Sequence, residues 1–327
     1  MSSSSDWPCA ALPEAELAPR TTLRVGGRAA WLLEPANPDE LRAAWLRARE
    51  RGLPVRVLGS GANLLIADGT LPGVVIATDR LKRSFRPPEA GMSGEELFTI
   101  TDPALAVSDR REDPRLVVWC GASLPGLVRQ AAELGWAGLE GLAGVPAHLG
   151  GAVAMNAGGG PGWMWDVVES VRVLDEDGSF RQLERAECAP RYRDGNLGGR
   201  VVVGAVLRLA VDTPAAVDER TREYLRQKNA TQPVSARSAG CVFKNPDPEV
   251  SEGRSAGKLV EDCGFKGRRV GGALVSPLHG NFIVNRGGAT AGEVLELVER
   301  VREGVFEEVG VLLELEVKVW IGIAAGV

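Results

Sequence analysis

The run Ser-Ala-Gly-Cys-Val-Phe-Lys-Asn-Pro at residues 238–246 concentrates side chains that can do chemistry. Two small residues and a glycine precede Cys241, so that backbone can approach its thiol closely. A free thiol has a pKa of about 8.5, so at neutral pH it is mostly protonated and can deliver a proton. Lys244 and Asn245 add a cation and an amide beside it. In the alternative interpretation, Cys241 is a small buried hydrophobic residue and the other two lie on the surface.

A turn of small residues, Val57-Leu-Gly-Ser-Gly-Ala-Asn-Leu-Leu65, follows a predicted strand. Gly59 and Gly61 permit positive φ, so that successive N–H groups can turn toward an anion such as a pyrophosphate. Ser60 and Asn63 can add hydrogen bonds. A tight turn without a ligand explains the stretch at least as well. The spacing is not G-x-G-x-x-G and no helix begins there, which argues against a Rossmann fold.

A second stretch, from Gly141 to Gly158, is also dense in glycine and alanine. This composition lets the backbone pass very close to a flat ligand. A close-packed loop and strand would have the same composition. The stretch alone therefore does not identify a ligand.

Length, charge and cysteine distribution restrict the class of protein. A chain of 327 residues exceeds what one hydrophobic core usually organises, so two or three domains are expected. The net charge of −5 argues against nucleic acid or an anionic membrane as the main partner. The N-terminal residues lack the features of a signal peptide, and the five cysteines show no metal-binding spacing. We therefore expect free thiols, no metal site and a cytoplasmic location.

The elements that must position these groups alternate along the chain. Apolar periodicity predicts helices at 39–51, 124–134, 218–228, 256–263 and 291–309, and strands at 55–58, 74–77, 116–120, 167–174, 180–183, 201–209, 273–275, 282–285 and 313–319. This succession indicates a mixed α/β protein. Residues 1–20 are expected to form a flexible arm, and the proline- and charge-rich residues 86–115 a surface insertion.

Several motifs together have the order and spacing of one enzyme family. They are Thr22-Leu-Arg-Val-Gly-Gly27, the turn at 59–63, the stretch Gly141–Gly158, Tyr192-Arg193 and residues 238–246. Over about residues 20–322 the chain resembles UDP-N-acetylenolpyruvoylglucosamine reductase, a flavoenzyme that completes UDP-N-acetylmuramate for peptidoglycan. The interval between Tyr192 and Ser238 is short and lacks the extra substrate-domain insertion of the family's longer subgroup. In this respect the chain resembles the shorter, type II form.

The resemblance implies a two-lobed FAD-binding domain of the vanillyl-alcohol-oxidase (PCMH) type, with lobes at 21–85 and 116–212. A C-terminal α/β substrate-binding domain is implied at 213–327. Non-covalent FAD is the implied cofactor. The residues implied to hold it are Gly59, Ser60, Gly61, Ala62, Asn63, Leu64, Pro146, Gly150 and Gly151.

Two departures from the family pattern lie near the implied flavin. Ala147-His148 replaces the usual Gly-Thr, and Gly158–Gly162 replaces Gly-Ala-Tyr-Gly. His148 admits two interpretations. It is either a loop histidine packed near the cofactor or, as in some sugar oxidases of this fold, a point of covalent flavin attachment.

The family reaction transfers a hydride from NADPH through the flavin to C3 of the enolpyruvyl ether, and a protein acid then protonates C2. By resemblance, Arg193 polarises the substrate carboxylate, Glu316 supplies a carboxyl group and Cys241 is the proton donor where the family mostly has serine. Without the resemblance, Arg193 would be an exposed loop residue, and Glu316 would share a solvated strand face with Glu314 and Lys318.

The implied substrate-binding residues are Tyr192, Lys228, Lys244 and Asn245. UDP-N-acetylglucosamine enolpyruvate and NADPH are the implied partners of a monomer or weak oligomer. Two alternatives remain from the sequence. One is a flavin-dependent sugar or alcohol oxidase of the same fold. The other is a non-catalytic flavin- or UDP-sugar-binding protein, which Cys241, Leu315 and Gly195 motivate because each departs from the family pattern.

Overall fold

The computed structural model describes residues 4–89, 91–99 and 113–322. Its helices are α1 (Pro38–Glu50), α2 (Gly94–Thr99), α3 (Leu124–Leu134), α4 (Leu149–Ala154), α5 (Arg185–Cys188), α6 (Pro214–Thr231), α7 (Pro248–Ser251), α8 (Ala256–Asp262) and α9 (Ala291–Val309). Its strands are β1 (Ala10–Glu16), β2 (Arg28–Glu34), β3 (Val55–Leu58), β4 (Leu64–Ile66), β5 (Thr70–Ala77), β6 (Ser84–Phe85), β7 (Arg115–Trp119), β8 (Trp136–Ala137), β9 (Gly158–Gly159), β10 (Gly162–Trp163), β11 (Val168–Leu174), β12 (Phe180–Glu184), β13 (Val201–Arg208), β14 (Ala210–Val211), β15 (Ser238–Cys241), β16 (Arg269–Val270), β17 (Ala273–Val275), β18 (Phe282–Asn285) and β19 (Lys318–Trp320).

The chain forms two compact units. Unit 1 comprises Met1–Ala11, Leu33–Ser60 and Val75–Gln227, and unit 2 comprises Leu12–Leu32, Gly61–Val74 and Lys228–Val327. The C-terminal part thus takes two segments from the first quarter of the chain. The sequential boundaries predicted at 85, 116 and 213 do not describe this division. No helix in the described residues is both long and apolar enough to cross a bilayer.

Unit 1 contains a five-stranded sheet in the order β12-β11-β13-β7-β6. The predicted hairpin is present as β11–β12, with Leu174 opposite Phe180. Strand β13 is central and buried along seven of its eight residues, which explains its unbroken apolar run. Helix α3 begins at the cap Ser123 and ends at Gly135, whose φ of 69° terminates it in the left-handed region.

Unit 2 contains a four-stranded antiparallel sheet in the order β15-β18-β17-β16. One face of this sheet packs on α8 and α9, through a core that includes Ala273, Val275 and Ile283. Helix α9 has the predicted bounds because Thr290 and Glu293 form a capping box and Gly310 ends the helix. Strand β19 pairs in parallel with β4.

Two predicted surface segments take part in the fold. Instead of a flexible arm, residues 10–16 form the edge strand β1 of a sheet in the order β1-β2-β5-β3, and Leu17 is fully buried. The single proline, Pro13, and the two glutamates of this strand are compatible with an edge position, where a missing N–H leaves no ladder bond unmade. Within the predicted insertion, Leu97 of α2 is buried with Phe85 and Val117. Residues 90 and 100–112 of that prediction lie outside the described residues.

Candidate active site

A β-bulge in unit 2 presents Cys241. Ser238 lies opposite Val284 and Cys241 opposite Phe282, so three steps along β15 match two along β18. The extra residue is accommodated by Gly240, whose φ of 77° lies in the left-handed region. L-residues, unlike glycine, adopt that conformation at a cost of about 1–2 kcal/mol. Bulges of this kind re-aim a side chain beside an active site, and Cys241 is half-buried at this edge strand.

The predicted flavin turn lies next to this bulge. A Cβ added to Gly240 would come 3.9 Å from the carbonyl oxygen of Ala62. The Asn63 side-chain amide donates to the carbonyl of Glu316 at 3.1 Å, and the Lys318 N–H donates to the carbonyl of Asn63 at 3.1 Å. Three segments that are far apart in sequence therefore converge within unit 2: the turn, the bulge and the C-terminal strand.

The two turn glycines have different reasons to be glycine. Gly61 has a φ of 64°, and a Cβ there would lie 2.7 Å from the Cα of Thr21. Gly59, in unit 1, does not have positive φ, contrary to the prediction. A Cβ on Gly59 would instead lie 3.7 Å from the Cβ of His148. Gly61 is therefore required for its backbone conformation, whereas Gly59 is packed beside the His148 side chain.

Glu316 is buried, with 9% of its surface exposed. Its N–H and that of Val317 both donate to the carbonyl of Val242, at 2.8 and 3.3 Å. Two consecutive residues facing one partner form a bulge, which shifts the side-chain alternation by one residue. The expected shared face of Glu314, Glu316 and Lys318 is therefore wrong. The predicted strand 313–319 is confined to β19, with an isolated bridge from Phe243 to Leu315.

The predicted substrate-binding residues of unit 2 differ in their surroundings. Lys244 forms an exposed ion pair with Glu314 at 3.3 Å. The Oδ1 atom of Asn245 accepts the Ala256 N–H at the start of α8, at 3.1 Å, so this side chain also caps a helix. Lys228 is half-buried near the C-terminal end of α6.

Asn281 is a residue that sequence reasoning missed as a functional candidate. It is 3% exposed, and its side chain pairs with Phe243 as a neighbouring strand would. Its Oδ1 accepts the Phe243 N–H and its Nδ2 donates to the Phe243 carbonyl, both at 2.8 Å. Its own carbonyl accepts the Val242 N–H at 2.9 Å. Asn281 therefore fixes the backbone directly after Cys241. In the sequence, Asn281 stands between Gly280 and the first residue of the predicted strand 282–285, so no apolar periodicity marked it.

In unit 1, Arg193 is held by aromatic rings and a carbonyl. Its guanidinium lies 5.2 Å from the ring centres of both Trp163 and Tyr192, within cation–π range. Its Nη1 donates to the carbonyl of Gly158 at 2.7 Å. The residue has a φ of 56°, inside a turn closed by the N–H of Asp194 and the carbonyl of Arg191. Arg193 is half-buried, and these contacts hold its guanidinium in one place. It is therefore not the exposed loop residue of the alternative interpretation.

Trp163 was not predicted to belong to this group. It lies in β10, paired with Gly158 of β9, so the glycine-rich segment that departs from the family pattern forms a small hairpin beside Arg193. Gly195, another departure, has a packing explanation. A Cβ there would lie 2.4 Å from the carbonyl oxygen of Val153 in α4.

His148 and the glycines after it have the properties of a cofactor cradle. Its Nδ1 is buried and has no hydrogen-bond partner among the described residues. Burial lowers the pKa of His148, with Asp79 opposing and Lys82 adding to this effect, so the ring is neutral at pH 7. Gly150 is backed by Cys120, which a Cβ would approach to 2.9 Å, whereas the space over Gly151 is open. An orphaned ring nitrogen and an open glycine fit a flat polar ligand such as a flavin. Pro146 is exposed two residues before His148.

Comparisons with known proteins identify the family. Residues 29–184 match a FAD binding domain, and residues 232–320 match the UDP-N-acetylenolpyruvoylglucosamine reductase C-terminal domain. The UDP-N-acetylenolpyruvoylglucosamine reductase of Moorella thermoacetica is 40% identical over 305 residues, which cover 93% of this chain and 91% of the relative. The chain belongs to the UDP-N-acetylenolpyruvoylglucosamine reductase family.

Further relatives of the reductase family agree with this assignment. The reductase of Acaryochloris marina is 38% identical over 314 residues, 95% of this chain and 92% of the relative. The crystal structure of the reductase from Thermus caldophilus has a TM-score of 0.72 at 39% identity, covering 95% of this chain and 98% of that chain. The predicted family and FAD cofactor are confirmed, as is a FAD-binding domain followed by a reductase C-terminal domain.

Proposed function

We propose that this protein catalyses the NADPH-dependent reduction of UDP-N-acetylglucosamine enolpyruvate to UDP-N-acetylmuramate, a step of peptidoglycan precursor synthesis. The observation that carries the proposal is the convergence, in unit 2, of the Gly240 bulge before Cys241, the turn at Asn63 and the buried Glu316. Membership of the reductase family supplies the substrate class.

The overall reaction adds two electrons and two hydrogens across the enol ether. NADPH is oxidised, a hydride reaches C3 and a proton reaches C2. FAD held by Gly59–Leu64, Pro146, Gly150 and Gly151 would supply the redox chemistry that relays the hydride from NADPH to the enol ether. The protein must therefore hold the substrate carboxylate, stabilise the charge that develops on it, and deliver one proton to carbon.

Cys241 is the proposed proton donor. The Gly240 bulge and Asn281 fix the backbone on either side of the thiol, which supports a defined direction of proton delivery. Glu316 is the proposed carboxyl group of the site. Its burial and its backbone bonds to Val242 bring it near the strand that bears Cys241.

Arg193 is the proposed partner of the substrate carboxylate. A guanidinium can pair with a carboxylate through two parallel hydrogen bonds. The rings of Trp163 and Tyr192 limit its conformations before a substrate arrives, which supports a preorganised role. We propose Tyr192, Lys228, Lys244 and Asn245 as further substrate contacts.

We propose that FAD is held non-covalently by Gly59–Leu64, Pro146, Gly150 and Gly151. His148 would contribute a neutral ring nitrogen to the cofactor. In the covalent alternative the flavin would stay attached to the protein after denaturation.

Purified protein tests the proposal. We expect a yellow protein that releases FAD on denaturation and that, under anaerobic conditions, oxidises more than one NADPH per flavin only when the enolpyruvyl sugar nucleotide is added. Flavin binding without this turnover would favour the non-catalytic alternative. Flavin that remains attached after denaturation would favour an oxidase.

A further inference from the structure

The Thr22 hydroxyl links the turn at residues 61–63 to the strand that bears Cys241. Its Oγ1 atom lies 2.7 Å from the carbonyl oxygen of Ser238 and 3.3 Å from that of Gly61. A hydroxyl carries one hydrogen and both neighbours are acceptors, so we assign the hydrogen to the shorter contact, with Ser238. The Thr22 N–H donates separately to the Gly61 carbonyl at 3.3 Å. Thr22 has no role in the function proposed above.

The carbonyl of Ser238 lies on the outer edge of the unit 2 sheet, where β15 is the end strand. The Asn285 N–H donates to the Arg237 carbonyl at 2.8 Å, as in a hydrogen-bonded antiparallel pair. Such pairs alternate with non-hydrogen-bonded ones, so Ser238 and Val284 form the latter kind, and the Ser238 carbonyl points away from β18. Since Ser238 is buried, Thr22 supplies the donor that this carbonyl needs.

Core packing sets the position of Thr22. The next residues, Leu23 and Val25, are each 2% exposed and lie in the core that also contains Ala239 and Val242 of the Cys241 region. Burial of these side chains fixes the N-terminal segment beside β15. The hydroxyl is therefore presented to the strand edge by packing that its removal would leave in place.

The bulge begins directly after this hydrogen bond. Ser238 is the paired residue before the bulge, and Cys241 is the paired residue after it. The bulge faces the turn, because a Cβ on Gly240 would lie 3.9 Å from the Ala62 carbonyl oxygen. A strand edge that is held at Ser238 therefore has a fixed position relative to the turn.

We propose that Thr22 is a positioning residue, whose hydroxyl fixes the Cys241 thiol relative to the turn by holding the Ser238 carbonyl. The inference rests on the proposed function, in which the turn binds the flavin and Cys241 donates the proton. Asn63 ties the same turn to the carbonyl of Glu316, so the two bonds would keep three parts of the site in register.

Three variants of the FAD-loaded protein test this role. Thr22→Val keeps the shape of the side chain and the backbone bond to Gly61 but removes the hydroxyl, whereas Thr22→Ser keeps a hydroxyl. The control Thr21→Val removes the neighbouring hydroxyl, which is buried and bonds within its own turn, to the carbonyls of Ala18 and Val25 at 3.1 Å each. The control therefore loses a hydroxyl from the same segment without touching Ser238.

Anaerobic single turnovers measure the two half-reactions separately. We expect all three variants to retain FAD and to be reduced by NADPH at the wild-type rate. Reoxidation by the enolpyruvyl sugar nucleotide should be about fivefold slower in Thr22→Val, as for the loss of one hydrogen bond, and its solvent deuterium isotope effect should increase. Thr22→Ser should recover most of the rate, and Thr21→Val should match wild type. Unchanged reoxidation in Thr22→Val, or equal slowing in Thr22→Ser or Thr21→Val, overturns the positioning role.

Alkylation by iodoacetamide tests the same role without turnover. Cys241 is half-buried, so a strand edge that Thr22 no longer holds should expose its thiol more often. We expect alkylation of the Cys241 peptide, followed by mass spectrometry, to be about fivefold faster in Thr22→Val and unchanged in Thr21→Val. A wild-type alkylation rate in Thr22→Val overturns the inference. Faster alkylation in a protein that does not turn over the enolpyruvyl substrate overturns the proposed function and retains the hold of Thr22 on the bulge.

Discussion

Replacing Asn281 tests whether the backbone after Cys241 must be held for proton transfer. The Asn281→Ala change removes two 2.8 Å hydrogen bonds and leaves the N–H and carbonyl of Phe243, itself 2% exposed, without these partners. Each buried unsatisfied group costs about 1–3 kcal/mol, so for two groups we expect a loss of roughly 2–6 kcal/mol in the free energy of unfolding. Urea denaturation of the purified variant measures this loss.

The functional consequence needs a matched control. Asn285→Ala removes a second buried asparagine from the same region, one whose Nδ2 donates to the carbonyl of Leu23 at 3.1 Å and not to the strand after Cys241. Both variants should lose stability, but only Asn281→Ala should slow reoxidation of the reduced flavin by the enolpyruvyl substrate, with flavin reduction by NADPH unchanged. Equal reoxidation rates in the two variants would refute the positioning role. Unfolding free energy within about 0.5 kcal/mol of wild type would refute the energetic reasoning.

Three further perturbations test other parts of the account. Gly240→Ala should cost about 1–2 kcal/mol of stability because its φ of 77° is left-handed, and a thermal midpoint equal to that of wild type would contradict the bulge geometry. Burial lowers the pKa of both His148 and His279, so the unfolded chain binds more protons below about pH 6.5 and the thermal midpoint should fall as the pH drops through that value. The same pH dependence in the His148→Gln, His279→Gln double variant would assign it to other groups. Arg193→Ala and Glu316→Gln should retain FAD, measured by flavin absorbance after gel filtration, and lose reoxidation by substrate; wholesale loss of flavin would make either residue structural.

Much of the regular structure follows from local signals. Helix α9 could be bounded because Thr290 caps its start and Gly310 ends it, and the β11–β12 hairpin because a polar turn separates two apolar strands. The edge strand β1 was missed because its sequence, Ala-Ala-Leu-Pro-Glu-Ala-Glu, contains a proline and has little apolar alternation.

The surroundings of the site residues could not be predicted from local sequence patterns. The burial of Glu316 depends on two N–H groups sharing the carbonyl of Val242, a pairing that the alternation of residues 313–319 cannot reveal. Likewise, Trp163 reaches Arg193 only because a glycine hairpin folds beside the turn at 191–194. Both arrangements depend on tertiary contacts between segments that are distant in sequence. The resemblance to the family identified Glu316 and Arg193, but their surroundings, including Trp163, required the structure.

The assignment of Cys241 as proton donor is tested most directly in a single turnover. Cys241→Ala is reduced anaerobically with NADPH and then mixed with UDP-N-acetylglucosamine enolpyruvate, while flavin absorbance is followed. We predict normal reduction followed by flavin that stays reduced, whereas Cys241→Ser recovers reoxidation because a hydroxyl also carries a proton. Reoxidation of the alanine variant at the wild-type rate would remove Cys241 from the mechanism.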